Sequence, residues 1–189
     1  MNREAWLNAF TDKARPFFDD EGSPLPLNVR VSIGFTSRGA KGKRIGECWA
    51  DACSADGHFE IFIKPDLQSD GPRVADILTH ELCHAAAGLE AGHGPAFKRI
   101  ATRLGLEGKM TATVAGARWH AWADAVLAEL GPFPGAALNG GASNAPKKQG
   151  TRMIKLSCNC GWTCRTARAN IVDDMLCPLP GCGGNLIEA

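Results

Sequence analysis

The chain of 189 residues contains no tyrosine, and phenylalanine and tryptophan supply an aromatic content of only 7%. No phenolic hydroxyl is therefore available as a hydrogen-bond donor in any site of this protein. Long apolar runs are also missing at the start of the chain, where MNREAWLNAFTDKARPFF carries charges throughout. We therefore expect neither a signal peptide nor a membrane span, and no membrane partner. A cytoplasmic location follows as an expectation, and in that reducing compartment the eight cysteines are expected to be thiols or metal ligands rather than disulfides.

The net charge is only +1, but basic and acidic side chains are unevenly distributed along the chain. Residues 132–189 carry six basic and three acidic side chains, which makes the C-terminal part the electropositive end. An excess of this size permits contact with nucleic acid and is equally typical of a solvated surface. With 44% hydrophobic residues the chain has enough apolar material for a buried core, so we expect a globular protein.

The most informative stretch is THELCHAAAGLEAGHGPAF, which runs from residue 79 to residue 97. His80 and His84 are four residues apart, so in a helix both imidazoles face one side and can bind one metal ion. Glu81 flanks that side as a candidate general base, and His93 can supply a third ligand. Three of the five histidines of the chain lie within these few residues, which favours a metal site over isolated core histidines.

HELCHAAAG followed by GHGPAFKRIATRLGL resembles the SprT-like (Spartan-type) zinc metallopeptidases over about residues 28–130. The resemblance implies an α+β fold: a zincin-like metallopeptidase domain whose active-site helix lies on a small, mainly antiparallel sheet. It also implies a protein substrate, and DNA as a further partner, since Spartan-type enzymes degrade proteins crosslinked to DNA. A small C-terminal zinc ribbon, of the sort found in many members, completes the expected fold.

Hydrophobic periodicity predicts the elements around this stretch. An amphipathic helix is expected from residue 3 to about residue 15, disturbed at Pro16. Strands are expected at 28–35, 45–50 and 58–64. Helices are expected at 72–87, from Pro95 to Gly105, and near 119–130. The loop 37–44 carries four cations and two glycines, and we interpret it as a solvated hairpin tip rather than a mobile phosphate-binding loop.

The last part of the chain contains five cysteines, Cys158, Cys160, Cys164, Cys177 and Cys182. Glycines directly follow two of them, as expected of turns that direct backbone N–H groups at a thiolate. The pattern predicts a zinc ribbon with four sulfur ligands, because about 38 residues are too few for an apolar core. We favour Cys158, Cys160, Cys177 and Cys182 as ligands, with Cys164 in place of Cys158 as the alternative. The predicted organisation is a metallopeptidase domain at 1–138, a flexible linker at 139–151 and the ribbon at 152–189.

The function predicted from these residues is a zinc-dependent endopeptidase with one catalytic and one structural Zn²⁺. Glu81 would accept the proton of the attacking water and pass it to the leaving amine. Many zinc peptidases add a Tyr or His donor to the developing oxyanion, and since tyrosine is missing here, His120 and Arg118 are the candidate donors. The alternative is a non-catalytic nucleic-acid adaptor in which HExxH is only a structural metal site, and a different metal-dependent hydrolase is a further alternative.

Overall fold

A computed structural model describes residues 1–67, 70–138 and 153–188, and within these ranges the chain forms four α-helices and eight β-strands. The chain divides into two compact units, Met1–Gly140 and Gly141–Ala189. The predicted linker at 139–151 lies outside the described residues. The mixed α and β content agrees with the predicted α+β class. No described helix is long and apolar enough to cross a membrane.

The first unit begins with helix α1 (Arg3–Asp20), whose N-terminus is capped by the Asn2 side chain, which accepts from the Ala5 N–H at 2.7 Å. The helix continues past Pro16, where the sequence predicted a disturbance. Packing explains the continuation, because Phe17 stacks on Trp122 and Phe18 is fully buried on the following turn. The apolar contacts of these two rings outweigh the one hydrogen bond that proline removes.

Three short strands form the sheet of this unit in the order β1-β3-β2, with β1 at Val29–Ile33, β2 at Gly46–Trp49 and β3 at Phe59–Ile63. Strand β3 pairs parallel with β1 and antiparallel with β2. The expectation of a mainly antiparallel sheet is therefore wrong, and the sheet is mixed. Strand β3 lies between β1 and β2. Of the three strands, only β2 runs opposite to the other two.

Helix α2 (Gly71–Ala87) packs on this sheet and carries the HExxH residues. The Asp70 carboxylate caps its N-terminus by accepting from the Arg73 N–H at 3.0 Å. The predicted apolar circumference is observed, since the helix buries eleven of its residues between the sheet and the neighbouring helices. Polar groups at the centre of such a helix need partners, because burying them unpaired is costly.

After α2, the chain forms helix α3 (Pro95–Arg103), strands β4 (Leu106–Lys109) and β5 (Ala112–Ala115), and helix α4 (Ala117–Leu130). The two helices agree with the sequence prediction. The β4–β5 hairpin was not predicted, because each strand has only four residues and neither shows an alternating apolar pattern. Strand β5 packs directly against α2.

The second unit holds a three-stranded antiparallel sheet in the order β7-β6-β8, with β6 at Ile154–Ser157, β7 at Thr163–Thr166 and β8 at Ile187–Glu188. Among its described residues, only Leu156, Cys158 and Cys177 are buried. Five large apolar side chains of this unit are exposed: Met153, Val172, Leu176, Leu179 and Ile187. Apolar burial in this unit is therefore too small to specify its fold.

Candidate metal centres and active site

The turn between α2 and α3 brings the third histidine of the motif back to the first two. Helix α2 ends at Gly88, whose φ of 79° suits glycine, and Gly92 has φ 49°. Between them the chain makes a single turn of 3-10 helix at Leu89–Ala91, and the Gly94 N–H donates to the Ala91 carbonyl at 2.9 Å. These two reversals of direction place His93 against the face of α2 that carries the other histidines.

The three histidines converge through the same ring atom. His84 Nε2 and His80 Nε2 each lie 3.2 Å from His93 Nε2, and all three rings offer ligand atoms within 4.8 Å of one another. Zinc–nitrogen bonds of about 2.0–2.1 Å at tetrahedral angles place two ligand nitrogens about 3.3 Å apart. The observed spacing matches that geometry, so the predicted ligand set fits a zinc ion.

Phe97 forms the floor under the three imidazoles. This fully buried ring lies 4.9 Å from His80, 4.4 Å from His84 and 5.0 Å from His93, measured between ring centroids. Burial lowers the pKa of His80 to about 3 and that of His84 to about 4, and neighbouring imidazoles add to the effect. Neutral imidazoles are the form that binds metal, so the folded chain holds its ligands ready for coordination at neutral pH.

Glu81 is buried beside the histidines, with only 7% of its surface exposed. Burial, followed by the nearby Glu47 carboxylate, raises the pKa of Glu81 to about 8, while the backbone N–H of Cys48 hydrogen-bonds to the carboxylate and opposes the rise. A dication held by the adjacent histidines would favour the ionised form. Gly46 leaves room for the Glu81 side chain, because a Cβ at position 46 would lie 2.6 Å from Glu81 Oε1 and 2.9 Å from Glu81 Cγ.

A cleft of about 790 Å³ opens above these residues. One wall is formed by residues 43–48 at the start of β2, the other by residues 111–114 of the β4–β5 hairpin, and His80, Glu81, His84 and His93 lie between them. Strand β2 lies at the edge of its sheet, so one side of its backbone is free of strand partners in the described residues. The volume of this cleft lies within the range of about 300–1,000 Å³ that is usual for ligand-binding clefts.

The cationic loop at 37–44 forms part of this cleft and is fixed in place. Glu47 accepts hydrogen bonds from the Ser37 N–H and hydroxyl, each at 2.7 Å, and pairs with Arg44. Lys64, which is 7% exposed, donates to the Gly42 carbonyl at 3.0 Å. These contacts anchor the loop, and its four cations are exposed as the sequence predicted; the loop is not a hairpin tip, because β1 and β2 do not pair.

Two polar residues around the histidines were not found from the sequence. Thr113 Oγ1 lies 2.8 Å from His80 Nδ1, and Asp76 Oδ2 accepts from the Ala115 N–H at 3.2 Å. Thr113 belongs to the unpredicted hairpin, so no pattern pointed to it. Asp76 could have been noticed as a carboxylate one helical turn before His80, on a helix that is apolar over most of its circumference.

The candidate oxyanion donors do not line this cleft. Arg118 pairs with Glu21, and the exposed His120 contacts Asp124 Oδ1 through Nδ1 at 3.0 Å. Both were chosen for their position beside the aromatic stripe of α4, and that stripe packs in the core, where Trp119 is fully buried. The expectation that either residue donates to an oxyanion finds no support, and neither enters the mechanism below.

In the second unit, four of the five cysteines form one group. The Sγ atoms of Cys158 and Cys182 are 3.6 Å apart, and those of Cys160 and Cys177 are 3.7 Å apart. Four thiolates at about 2.3 Å around tetrahedral zinc would lie about 3.8 Å apart. Cys164 does not belong to the group. The ligand set favoured from the sequence therefore fits a zinc site, and its alternative with Cys164 does not.

The turns of this cysteine group have the predicted form. Backbone N–H groups of Trp162, Leu179 and Gly184 hydrogen-bond to the sulfurs of Cys160, Cys177 and Cys182 respectively. The Trp162 N–H, with other thiols of the group, lowers the pKa of Cys160 to about 7, whereas burial raises the pKa of Cys177 and neighbouring thiols raise that of Cys182. Such N–H groups stabilise thiolates, the form that binds metal. All eight cysteines of the chain are free, and neither Cys48 nor Cys53 joins a metal-binding group among the described residues.

Fold and sites together define an α+β metallopeptidase-type domain with an open three-histidine site, followed by a small unit with a closed four-cysteine site. The chain belongs to the SprT-like family, whose model matches residues 8–133, about two thirds of the chain. The match ends before the cysteine-rich unit, so the ribbon is supported by the geometry of its sulfurs alone. No curated protein and no solved structure matches the chain.

Proposed function

We propose that this protein is a zinc-dependent endopeptidase with a zincin-like active site. One observation carries the proposal: three imidazole Nε2 atoms at zinc spacing and the Glu81 carboxylate share one open cleft. A structural zinc site is normally closed by a fourth protein ligand. Among the described residues the histidine group has three members, whereas the cysteine group has four. This contrast favours catalysis at the first site and structure at the second.

Different residues of the chain have different roles in the proposed peptide hydrolysis. His80, His84 and His93 would hold a zinc ion, which would supply Lewis acidity and lower the pKa of water toward about 7. Glu81 accepts the proton of the attacking water and delivers it to the leaving amine. Its burial against Gly46 and its hydrogen bond from the Cys48 N–H hold the carboxylate in one orientation. Phe97 excludes water from beneath the three rings.

Strand β2 is proposed to bind the substrate backbone by strand addition. In the β2–β3 pair, the carbonyl of Ile45 accepts from the Lys64 N–H, so alternate residues of β2 direct their backbone groups away from β3. Gly46 and Cys48 are the two that point outward. Since the Cys48 N–H already donates to Glu81, an extended peptide would pair with the Gly46 backbone groups and the Cys48 carbonyl, and would lie beside Glu81 and the histidines.

The test is a cleavage assay on a DNA-bound protein, with and without DNA, comparing wild type with Glu81→Gln. The variant keeps the size of the side chain and removes the proton acceptor, so we expect bound zinc at wild-type stoichiometry and loss of cleavage by at least about 100-fold. Cleavage by Glu81→Gln at the wild-type rate would overturn the mechanism. A wild-type protein that binds zinc and DNA without cleaving any tested substrate would favour the adaptor alternative.

DNA association through the second unit is a separate part of the proposal. Lys155 and Arg165 are exposed and stand directly opposite each other on β6 and β7. Like charges in this position are destabilising unless an anion lies between them, and a phosphate is such an anion. Trp162 is partly exposed in the adjoining turn, whereas Arg168 pairs with Glu188. Lys147 and Lys148 lie outside the described residues.

We expect Lys155→Ala with Arg165→Ala to weaken binding to single- and double-stranded DNA. The slope of log affinity against log salt concentration should fall by the amount that corresponds to about two phosphate contacts. Lys98→Ala with Arg99→Ala, two exposed cations of α3, is the matched control in the first unit. Equal loss in both variants would indicate nonspecific attraction. No salt-dependent binding in the wild type would remove DNA from the proposed function.

A cytoplasmic location is proposed for the protein, on the expectation that eight free cysteines persist in a reducing compartment.

A further inference from the structure

We infer that Thr113 is a positioning residue that fixes the ring orientation and tautomer of His80 for metal binding. The inference rests on the proposed metal binding by the three histidines. Thr113 is 8% exposed, and its Oγ1 lies 2.8 Å from His80 Nδ1. The other nitrogen of the same ring, Nε2, points to the centre of the histidine group, 3.2 Å from His93 Nε2.

The two ring nitrogens of His80 therefore have different tasks. A neutral imidazole carries one proton, and binding metal through Nε2 requires that the proton sit on Nδ1. The Thr113 hydroxyl oxygen then accepts the Nδ1–H. Without this acceptor a buried N–H would be left unpaired, and the ring would gain freedom to rotate or to change tautomer.

The position of Thr113 is set by a second hydrogen bond between the same two elements. Asp76, one helical turn before His80, accepts from the Ala115 N–H, two residues after Thr113. Four residues of helix rise about 6 Å, and two residues of strand rise about 6.6–6.8 Å. The pairs Asp76–Ala115 and His80–Thr113 are therefore successive contacts between α2 and β5 running in opposite directions. Asp76 is itself held by Arg73 through two contacts of 2.9 and 2.8 Å.

This arrangement gives the β4–β5 hairpin a function that its sequence does not reveal. The hairpin lies outside the HExxH–GHG stretch, yet it supplies the partner of the first ligand and one wall of the cleft. The Trp119 Nε1–H, which donates to the Thr79 hydroxyl at 3.0 Å, holds α4 against α2 just beyond the hairpin. The contacts of Ala115 and Trp119 thus fix the chain that follows Thr113 against α2.

The experiment measures the zinc affinity of the full chain by competition with a chromophoric chelator. Thr113→Val keeps the shape of the side chain and removes the hydroxyl, so we expect affinity for the histidine-bound zinc to fall about 10- to 100-fold. Thr113→Ser keeps the hydroxyl and should restore affinity close to wild type. Thr36→Val is the matched control, because Thr36 is also buried but its hydroxyl has no hydrogen-bond partner among the described residues.

A second measurement needs no variant: the nitrogen chemical shifts of the His80 ring in the zinc-loaded wild type should show a protonated Nδ1. An unprotonated Nδ1 would overturn the inference, as would unchanged affinity in Thr113→Val or equal loss in Thr113→Ser. If the wild type binds zinc only at its cysteines, the proposed histidine metal site is wrong. If the wild type binds two zinc ions and Thr113→Val leaves the zinc affinity unchanged, the histidine site is supported and only the inferred role of Thr113 is wrong.

Discussion

Gly46 is the residue on which the position of the general base depends most directly. A methyl group at this position would lie 2.6 Å from Glu81 Oε1 and 3.0 Å from Ile77 Cγ2, closer than side-chain atoms pack. Glycine in a strand normally costs stability, and here it allows helix α2 and the edge strand β2 to approach each other.

Gly46→Ala should therefore displace the Glu81 carboxylate while leaving the three histidines in place. We expect cleavage to fall on the order of 100-fold, as a misplacement of about 1 Å can cause, with zinc stoichiometry unchanged. The matched control is Gly71→Ala at the first residue of α2, where the added methyl would meet Phe133 at an ordinary 3.6 Å. Peptidase rates and zinc content of both variants check the prediction; full activity in Gly46→Ala would contradict it.

Individual site residues were predictable when their chemistry followed a local spacing. His80, Glu81, His84 and His93 lie within one continuous stretch, and the structure brings them together as expected. Thr113 was not predictable, because a hydroxyl that pairs with a histidine 33 residues away leaves no periodic signal. His120 and Arg118 do not line the cleft, because closeness to an aromatic stripe in sequence does not determine which cavity a side chain lines.

Among the elements, the helices were predictable and the sheet only in part. Helix α2 combines an Asp70 cap, a proline near its start and a terminal Gly88, all of which act locally. The pairing of β1 with β3 is instead decided by how the sheet packs under α1 and α2, where Val31, Ile61 and Ile63 are buried. Local alternation predicts that a strand exists and does not predict the direction of its neighbour.

The extension of α1 beyond Pro16 is also decided by tertiary packing rather than by a local signal. A proline is a local signal against helix continuation, and two aromatic side chains of the next turn override it by tertiary packing. Trp122 contacts both Phe10 and Phe17, at ring-centroid distances of 6.1 and 4.6 Å, and thereby joins the two halves of α1 to α4. Only the folded arrangement shows that these rings meet.

The two units of the molecule are stabilised in different ways. The first has a core of large buried side chains, including Trp6, Phe10, Phe97 and Trp119. The second has little apolar burial, so we propose that metal held by its four cysteines would supply most of its folding energy.

We therefore expect two zinc equivalents in the intact protein and a different response of each unit to zinc removal. A strong chelator should unfold the cysteine-bearing unit and leave the first unit folded, which amide NMR spectra recorded with and without zinc would show. His80→Ala with His84→Ala should lose one equivalent, and Cys160→Ser with Cys177→Ser the other. A total of one zinc in the wild type would contradict the two-site assignment.

Both ligand sets are contained in short pieces of chain, residues 80–93 and 158–182. The entropy lost on closing a chain segment grows with its length, so bringing each ligand set together costs little chain entropy. A chain emerging from the ribosome would have the histidine set and its Thr113 partner once β5 is made, before the cysteines have been synthesised. Each metal would then be acquired independently, and a defect in loading one site would not prevent loading of the other.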